Sequence, residues 1–156
     1  MTMLSTNFSL AEMTKSEIAL RHNADNTPNE AAVAALSLLV KEVLQPLRNH
    51  YKTGVKVNSG YRSPDVNFAV GGSKTSDHCK GQAADIEIAG IANAEVAQYI
   101  KDNLKYTQLI LEFYTPGIPD SGWVHVSYNK DDLKCQTLTA IKTSRGVVYH
   151  PGLVTV

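Results

Sequence analysis

The sequence has few cysteines and no long apolar run. Only Cys79 and Cys135 occur among 156 residues, whereas disulfide scaffolds are short and cysteine-rich. We therefore expect two free thiols and a reducing compartment. No stretch approaches the ~18 apolar residues of a membrane-spanning helix, so no membrane insertion is expected. The segment 1–10 lacks the basic and apolar regions of a secretory signal, which predicts synthesis in the cytoplasm.

The sequence also lacks an excess of charge of either sign. Fifteen Lys and Arg balance fifteen Asp and Glu, whereas proteins that bind nucleic acids or anionic membranes present a positive surface. We therefore expect no nucleic-acid partner. The composition, with 43% hydrophobic and 19% charged residues, is typical of a globular protein. The length predicts a single domain over residues 1–156, which we expect to be monomeric.

Helix signals are concentrated in the first third of the chain. Ser9 and Glu12 form a capping box, which predicts a helix to about Leu20. The segment Thr27-Pro28-Asn29-Glu30 repeats the start signal with Pro at the first helical position. Apolar residues at spacings of three and four then predict one long helix to about His50, and Pro46 should kink or loosen its last turn.

Strand signals dominate the rest of the chain. Asn93 is predicted to cap a helix to about Asn103, and residues 63–81, rich in Ser, Gly, Asp and Asn, predict a long ordered loop. Such loops are usually functional. Helices first and strands later predict an α+β fold, with N-terminal helices packed on a small, mainly antiparallel sheet. The predicted strands are 55–59, 83–88, 108–114 and 123–128, with weaker ones near 137–141 and 147–149.

Three residues have the side chains of a catalytic metal site. Two imidazoles, His78 and His125, with the carboxylate of Asp85 would hold a divalent ion and leave a fourth position open, as in catalytic zinc sites. His125 lies in the middle of a predicted strand and shares a face with Trp123. Each histidine alone is more often a surface or hydrogen-bonded core residue, and Asp85 alone would suit a strand end. Their combination with Trp-x-His and an upstream Tyr-Arg favours a site.

These residues stand in a recognisable pattern. Ser76-x-His78-x-x-Gly81-x-Ala83-x-Asp85, followed by Trp123-x-His125, resembles the M15 family of zinc peptidases. That family includes D-Ala-D-Ala carboxypeptidases and dipeptidases, and peptidoglycan endopeptidases such as phage endolysins. Gly60-Tyr61-Arg62 resembles a further element of the family, and segments 7–13 and 25–28 resemble its bacteriophage branch. The resemblance spans roughly residues 7–152.

The resemblance implies a fold, a cofactor and residue roles. The fold would be that of the M15 and hedgehog-like peptidases, with one Zn²⁺ held by His78, Asp85 and His125. Arg62 matches the arginine that stabilises the oxyanion at the scissile carbonyl. Ser76 matches a serine that contacts the substrate or the ligand loop, and Trp123 is expected to contact the substrate.

The general base does not transfer directly from the family pattern. Many members carry Glu or Asp three residues before the last histidine, where this chain has Gly122. Strand alternation puts Leu109, Leu111 and Phe113 on one face, and Ile110, Glu112 and Tyr114 on the other. A lone Glu in such an apolar strand is costly unless it is paired. We therefore predict that Glu112 is the base, although it could be an edge-strand surface residue. Asp120 is most simply a turn residue.

Other polar residues receive weaker interpretations. Arg62 could be a surface arginine, and Cys79 beside His78 permits a thiol-nucleophile reading that nothing else in the sequence supports. Glu87 shares a strand face with Asp85 and would be a partner of the site or a surface residue. His22, His50 and His150 are expected to be exposed.

The predicted function is zinc-dependent hydrolysis of peptide bonds in peptidoglycan stem peptides or cross-links. The phage-like segments favour a cell-wall-degrading endopeptidase that acts outside the membrane, released by a holin or carried in the virion. One alternative is a D-Ala-D-Ala carboxypeptidase of the same family. Another is a non-catalytic zinc-stabilised virion or binding module, which the missing acid at Gly122 would suit.

Overall fold

Helices and one mixed sheet form the protein. A computed structural model describes residues 2–154. The α-helices are α1 (Leu10–Thr14), α2 (Glu17–Arg21), α3 (Glu30–Leu39), α4 (Gln45–Tyr51), α5 (Pro64–Ala69) and α6 (Asn93–Asn103). The strands are β1 (Val55–Ser59), β2 (Ala83–Ile88), β3 (Gln108–Glu112), β4 (Trp123–Ser127), β5 (Gln136–Thr143) and β6 (Gly146–Pro151).

The six strands are arranged in the order β1-β2-β4-β3-β5-β6. Every neighbouring pair is antiparallel except β3 and β5, which run parallel. The α+β fold with a mainly antiparallel sheet is therefore confirmed. Among residues 2–154, no helix is long and apolar enough to cross a membrane.

The two faces of the sheet have different environments. One face carries buried aliphatic residues, including Leu109, Leu111, Val124 and Val126, which belong to the same core cluster as Leu36, Leu47 and Ile100 of the helices. Helix α6 packs on β2, β3 and β4 from this side. The alternate residues of the central strands, including Asp85, Glu112 and His125, point to the opposite face. These polar side chains thus lie on the face of the sheet opposite the helical layer.

The first predicted helix is divided into two. The capping box forms as expected: Glu12 N–H donates to Ser9 Oγ at 3.2 Å, and Ser9 N–H donates to Glu12 Oε1 at 2.8 Å. The helix nevertheless ends at Thr14, and Ser16 caps a second helix by accepting from Ala19 N–H at 3.1 Å. A serine side chain offers the backbone an alternative to continued helical pairing, and the single-helix prediction missed this.

The long predicted helix forms, with two differences. Its cap is Asn29, whose Oδ1 accepts from Ala32 N–H at 2.9 Å, because the Thr27 hydroxyl is bonded to Asp25 instead. A π-helical turn over Val40–Leu44 precedes Pro46, and Gln45 N–H bonds the carbonyl of Val40. Pro46 has no N–H to donate. A wider turn before the proline accommodates it, and the helix continues to Tyr51.

The predicted loop 63–81 contains two short helices. Ser63 caps α5, with Val66 N–H donating to its hydroxyl at 3.3 Å, and a 3₁₀ turn spans Asp77–Lys80. Asn93 is the first residue of α6 and not its cap. Its side chain instead donates to the carbonyls of Ser121 and Gly122, at 3.0 and 3.2 Å. This amide therefore ties the start of α6 to the turn before β4.

Candidate active site

The three predicted ligands come together at the centre of the sheet. Asp85 of β2 and His125 of β4 are direct partners across the antiparallel ladder, and His78 lies in the 3₁₀ turn that leads into β2. His125 Nδ1 lies 3.0 Å from Asp85 Oδ1, and His78 Nε2 lies 3.5 Å from Asp85 Oδ2. One ligand atom from each residue lies within 4.8 Å of the others.

The backbone of Gly60 orients His78. His78 Nδ1 lies 2.7 Å from the Gly60 carbonyl, so Nδ1–H is the donor and Nε2 keeps its lone pair for the cluster. A Cβ at Gly60 would lie 2.3 Å from the carbonyl oxygen of Met13, so a side chain there would push the orienting carbonyl away. The glycine of the Gly-Tyr-Arg element is thus needed for close packing.

The donor set fits a tetrahedral divalent ion. Zinc sites accept two imidazole nitrogens and a carboxylate oxygen, and this cluster offers one such atom from each residue within 4.8 Å of the others. Burial alone would raise the pKa of Asp85, but the hydrogen bond with His125 and the nearness of both imidazoles outweigh it and hold that pKa well below its usual range. The carboxylate is therefore ionised at neutral pH, as a metal ligand must be.

Glu112 lies beside this cluster on the neighbouring strand. In the β3–β4 ladder, Ile110 is opposite His125 and Glu112 is opposite Trp123. Trp123 Nε1–H donates to Glu112 Oε2 at 2.7 Å. Burial raises the pKa of Glu112 more than the nearby His125 lowers it, which suits a group that must accept and return a proton. Trp123 therefore orients the carboxylate, a role that the sequence did not indicate.

Gly122 lies where no side chain can fit. Its φ is +64°, and a Cβ would lie 1.9 Å from the carbonyl oxygen of Glu112 and 2.7 Å from the backbone of Phe113. The same close approach brings Glu112 next to the turn before β4. Asp120 is exposed and lines a separate cavity with Lys56 and Asn93. Of the two carboxylates considered, only Glu112 lies in the cleft of the metal cluster.

Strand alternation fails immediately after Glu112. Phe113 has φ +58°, so the strand ends there and not at Tyr114 as predicted. Phe113 consequently faces the cleft, with its ring centroid 5.4 Å from that of Trp123, and Tyr114 packs against the core. The predicted faces of these two aromatic residues were therefore wrong, because alternation assumes extended backbone.

Arg62 and Ser76 form one side of the cleft. Arg62 Nη2 donates to Ser76 Oγ at 3.4 Å, and Arg62 N–H donates to the His78 carbonyl at 3.1 Å. Asn26 holds the residues on either side of the arginine: its amide donates to the Tyr61 carbonyl at 3.1 Å and accepts from Ser63 N–H at 2.7 Å. The sequence gives no signal for this role of Asn26 beyond its place in the phage-like segment 25–28.

The remaining candidates lie outside the cluster. Glu87 accepts from Asn58 and Asn93, at 2.8 and 3.3 Å, so these contacts hold it away from the ligands. Burial raises the pKa of the Cys79 thiol, which is the opposite of an activated nucleophile. Both cysteines are free, as expected. The three other histidines, His22, His50 and His150, are exposed as expected.

The site opens into a cleft of about 750 Å³. Arg62, residues 70–73, Thr75 and Ser76 form one wall, and Val147 and Tyr149 of β6 lie along the cleft as well. Arg62 is the one lysine or arginine among the described residues that line it. The cleft thus combines a metal-binding cluster, a partly buried carboxylate and a single guanidinium.

Comparison with known proteins agrees with this arrangement. The sequence profile of a family described as Peptidase M15 matches residues 6–127. That range contains Arg62, His78, Asp85, Glu112 and His125. Among curated proteins, no sequence matches this one. Because the match covers more than half of the chain, the protein belongs to the M15 family of peptidases.

Proposed function

We propose that this M15 peptidase is a zinc endopeptidase that cleaves a peptide bond within peptidoglycan stem peptides or cross-links. The single observation that carries the proposal is the placement of Glu112. Its carboxylate shares the cleft with His78, Asp85 and His125, and Trp123 holds it by a hydrogen bond of 2.7 Å. A metal site without a proton acceptor beside it would favour a structural role.

In this proposal, the cleft residues have different roles in hydrolysis. His78, Asp85 and His125 would hold the zinc ion, which when bound supplies the Lewis-acid chemistry that makes water nucleophilic at neutral pH. Glu112 takes a proton from the attacking water as the new C–O bond forms. Arg62 donates a hydrogen bond to the carbonyl oxygen as negative charge develops on it. Glu112 then returns the proton to the amine nitrogen as the C–N bond breaks.

Charge in the cleft favours an endopeptidase over a carboxypeptidase. A carboxypeptidase must bind the terminal carboxylate of its substrate in addition to the developing oxyanion, and anionic groups are best bound by Arg or Lys. Among the described cleft residues Arg62 is the only such side chain. If Arg62 serves the scissile carbonyl, no second cation remains there for a chain terminus. An internal peptide bond makes no such demand.

The same site bears on the non-catalytic alternative and on the biological setting of the enzyme. The steric account of Gly122 speaks against a non-catalytic binding module, because in this proposal the acid is Glu112 of β3 and no acid is needed at position 122. The presumed substrate is the bacterial cell wall, and we propose that the enzyme reaches it in phage-type lysis. Lysis of outer-membrane-permeabilised Gram-negative cells by the purified protein would support that setting.

The proposed activity is tested by peptide release from purified Gram-negative peptidoglycan, followed by mass spectrometry. We expect release that stops after chelation and returns when zinc is restored. Glu112→Gln, which keeps the size of the side chain, should lower the rate by a factor on the order of 100 or more. Asp120→Asn is the matched control and should keep the wild-type rate.

The outcomes separate the competing functions. Fragment masses identify the bond, and release of terminal D-Ala alone would indicate a carboxypeptidase. Absence of any release by the zinc-loaded protein would contradict a catalytic role. Full activity of Glu112→Gln would show that another group accepts the proton.

A further inference from the structure

The hairpin of β5 and β6 contributes to the cleft although it lies outside the family match. The matched region ends at residue 127, whereas the hairpin spans Gln136–Pro151. Val147 and Tyr149 of β6 line the same cleft as Glu112 and His125. They are 45% and 53% exposed. Large apolar side chains left this open at the edge of a polar site suit contact with a ligand.

The register of the sheet fixes where Tyr149 lies relative to Glu112. Glu112 is opposite Ala140 in the β3–β5 ladder, and Ala140 is opposite Tyr149 in the β5–β6 ladder. Directly paired residues share a face of the sheet, so Glu112, Ala140 and Tyr149 form a row across three strands. The middle residue of the row is an alanine. The smallest apolar side chain therefore lies between the carboxylate and the ring.

The distance along this row corresponds to a few substrate residues. Two strand spacings of about 4.8 Å place the backbone of Tyr149 roughly 10 Å from that of Glu112. An extended peptide advances about 3.3 Å per residue. The metal ligand His125 lies on β4, one strand further from β6, so a substrate chain that crosses the strands from the metal cluster would reach Tyr149 about three to four residues from its scissile bond.

We infer that Tyr149, with Val147 beside it, binds the peptide chain of the substrate about three to four residues from the scissile bond and determines how long a substrate must be. This inference rests on the proposed function. Val147 is apolar and the ring of Tyr149 presents apolar faces, so the matching substrate groups are the aliphatic side chains of a stem peptide. Val148 lies between them in sequence, opposite Ile141, and belongs to the other face of the hairpin.

The test compares substrates of two lengths. Sugar-free cross-linked peptides from Gram-negative peptidoglycan provide the long substrate. The same peptides, shortened from either end to fewer than three residues beside the cleaved bond, provide the short ones. We expect Tyr149→Ala to lower kcat/KM for the long peptide about tenfold (~1.4 kcal/mol). It should leave at least one short peptide unchanged, and the shortened end identifies the side that contacts the hairpin.

Val148→Ala is the matched control, because Val148 is 39% exposed on the same strand but faces away from the cleft. It should leave both substrates unchanged. Val147→Ala is a second, milder variant and should act in the same direction as Tyr149→Ala. Equal losses on long and short peptides in both variants would indicate a structural role and overturn the inference, as would no loss at all. Failure of the wild-type protein to cleave any peptide would instead contradict the proposed function, and the inference with it.

Discussion

At the residue scale, the hydrogen bond from Trp123 fixes the position of the Glu112 carboxylate. Glu112 is partly buried, and the indole N–H at 2.7 Å is the hydrogen bond that the structure gives its side chain. A carboxylate that must shuttle a proton needs a fixed position within reach of the attacking water. Trp123 supplies that position from the strand that also carries His125, so one strand provides both a proposed ligand and the partner of the proposed base.

Trp123→Phe should separate this orienting role from packing. Phenylalanine keeps a ring against Phe113, at a centroid distance of 5.4 Å in the wild type, but cannot donate. A hydrogen bond to a charged group is worth about 1.5–3 kcal/mol, so kcat should fall roughly tenfold or more. Steady-state kinetics measure this, and zinc affinity, which should not change, is the control. An unchanged kcat would mean that Glu112 does not depend on Trp123.

At the scale of elements, the turn before β4 excludes a side chain at Gly122 and packs against the end of β3, which carries the proposed acid. Gly122 lies directly against the backbone of Glu112 and Phe113, and φ +58° at Phe113 ends β3 at that point. Asn93 of α6 donates to the carbonyls of Ser121 and Gly122. The helix, the turn and the strand end therefore hold one another in place next to the site.

Gly122→Ala and Gly117→Ala should differ in stability although both alter one turn. Both glycines have positive φ, +64° and +89°, but nothing lies within 4 Å of a Cβ at Gly117. The left-handed conformation alone costs a non-glycine residue roughly 1–2 kcal/mol, which is the loss expected for Gly117→Ala. Gly122→Ala adds a backbone clash and should lose roughly twice that or more. Chemical denaturation measures both, and equal losses would contradict the steric account of Gly122.

At the scale of the whole molecule, the metal cluster joins parts of the chain that are distant in sequence. His78 comes from a turn that follows α5, and Asp85 and His125 come from neighbouring strands of the sheet. A ligand that binds only the folded state stabilises it by about 2.7 kcal/mol at a concentration 100 times Kd. An ion bound by this cluster would therefore raise the stability of the folded protein.

Zinc should raise the Tm of the chelator-treated protein by several degrees, because each kcal/mol shifts Tm by roughly 2–4 °C at this size. His125→Ala should abolish the rise. His22→Ala should preserve it, since His22 is exposed and lies outside the cluster. Differential scanning calorimetry with and without zinc provides the measurement. A rise that persists in His125→Ala would place the ion elsewhere.

The parts of the fold that depend on local pattern could be predicted from the sequence. The capping box at Ser9, the strand over 83–88 and the sharing of one face by Trp123 and His125 follow from propensity and periodicity, and the structure contains all three. The division of the first helix at Ser16 and the positive φ at Phe113 could not be predicted. Each depends on a local competition that periodicity does not describe.

The candidate site divides in the same way. The types and spacing of His78, Asp85 and His125 already indicated a metal site in the sequence, because few other functions need two imidazoles and a carboxylate in that pattern. Only the tertiary structure determined the partners of those residues. Four such contacts join residues that are far apart in sequence. Glu112 bonds Trp123, and its backbone excludes a side chain at Gly122. Asn26 bonds the residues on either side of Arg62, and Glu112 lies in one row with Tyr149. The physical reason is that strand order and register decide which residues become neighbours, and periodicity along one strand carries no information about the strand beside it.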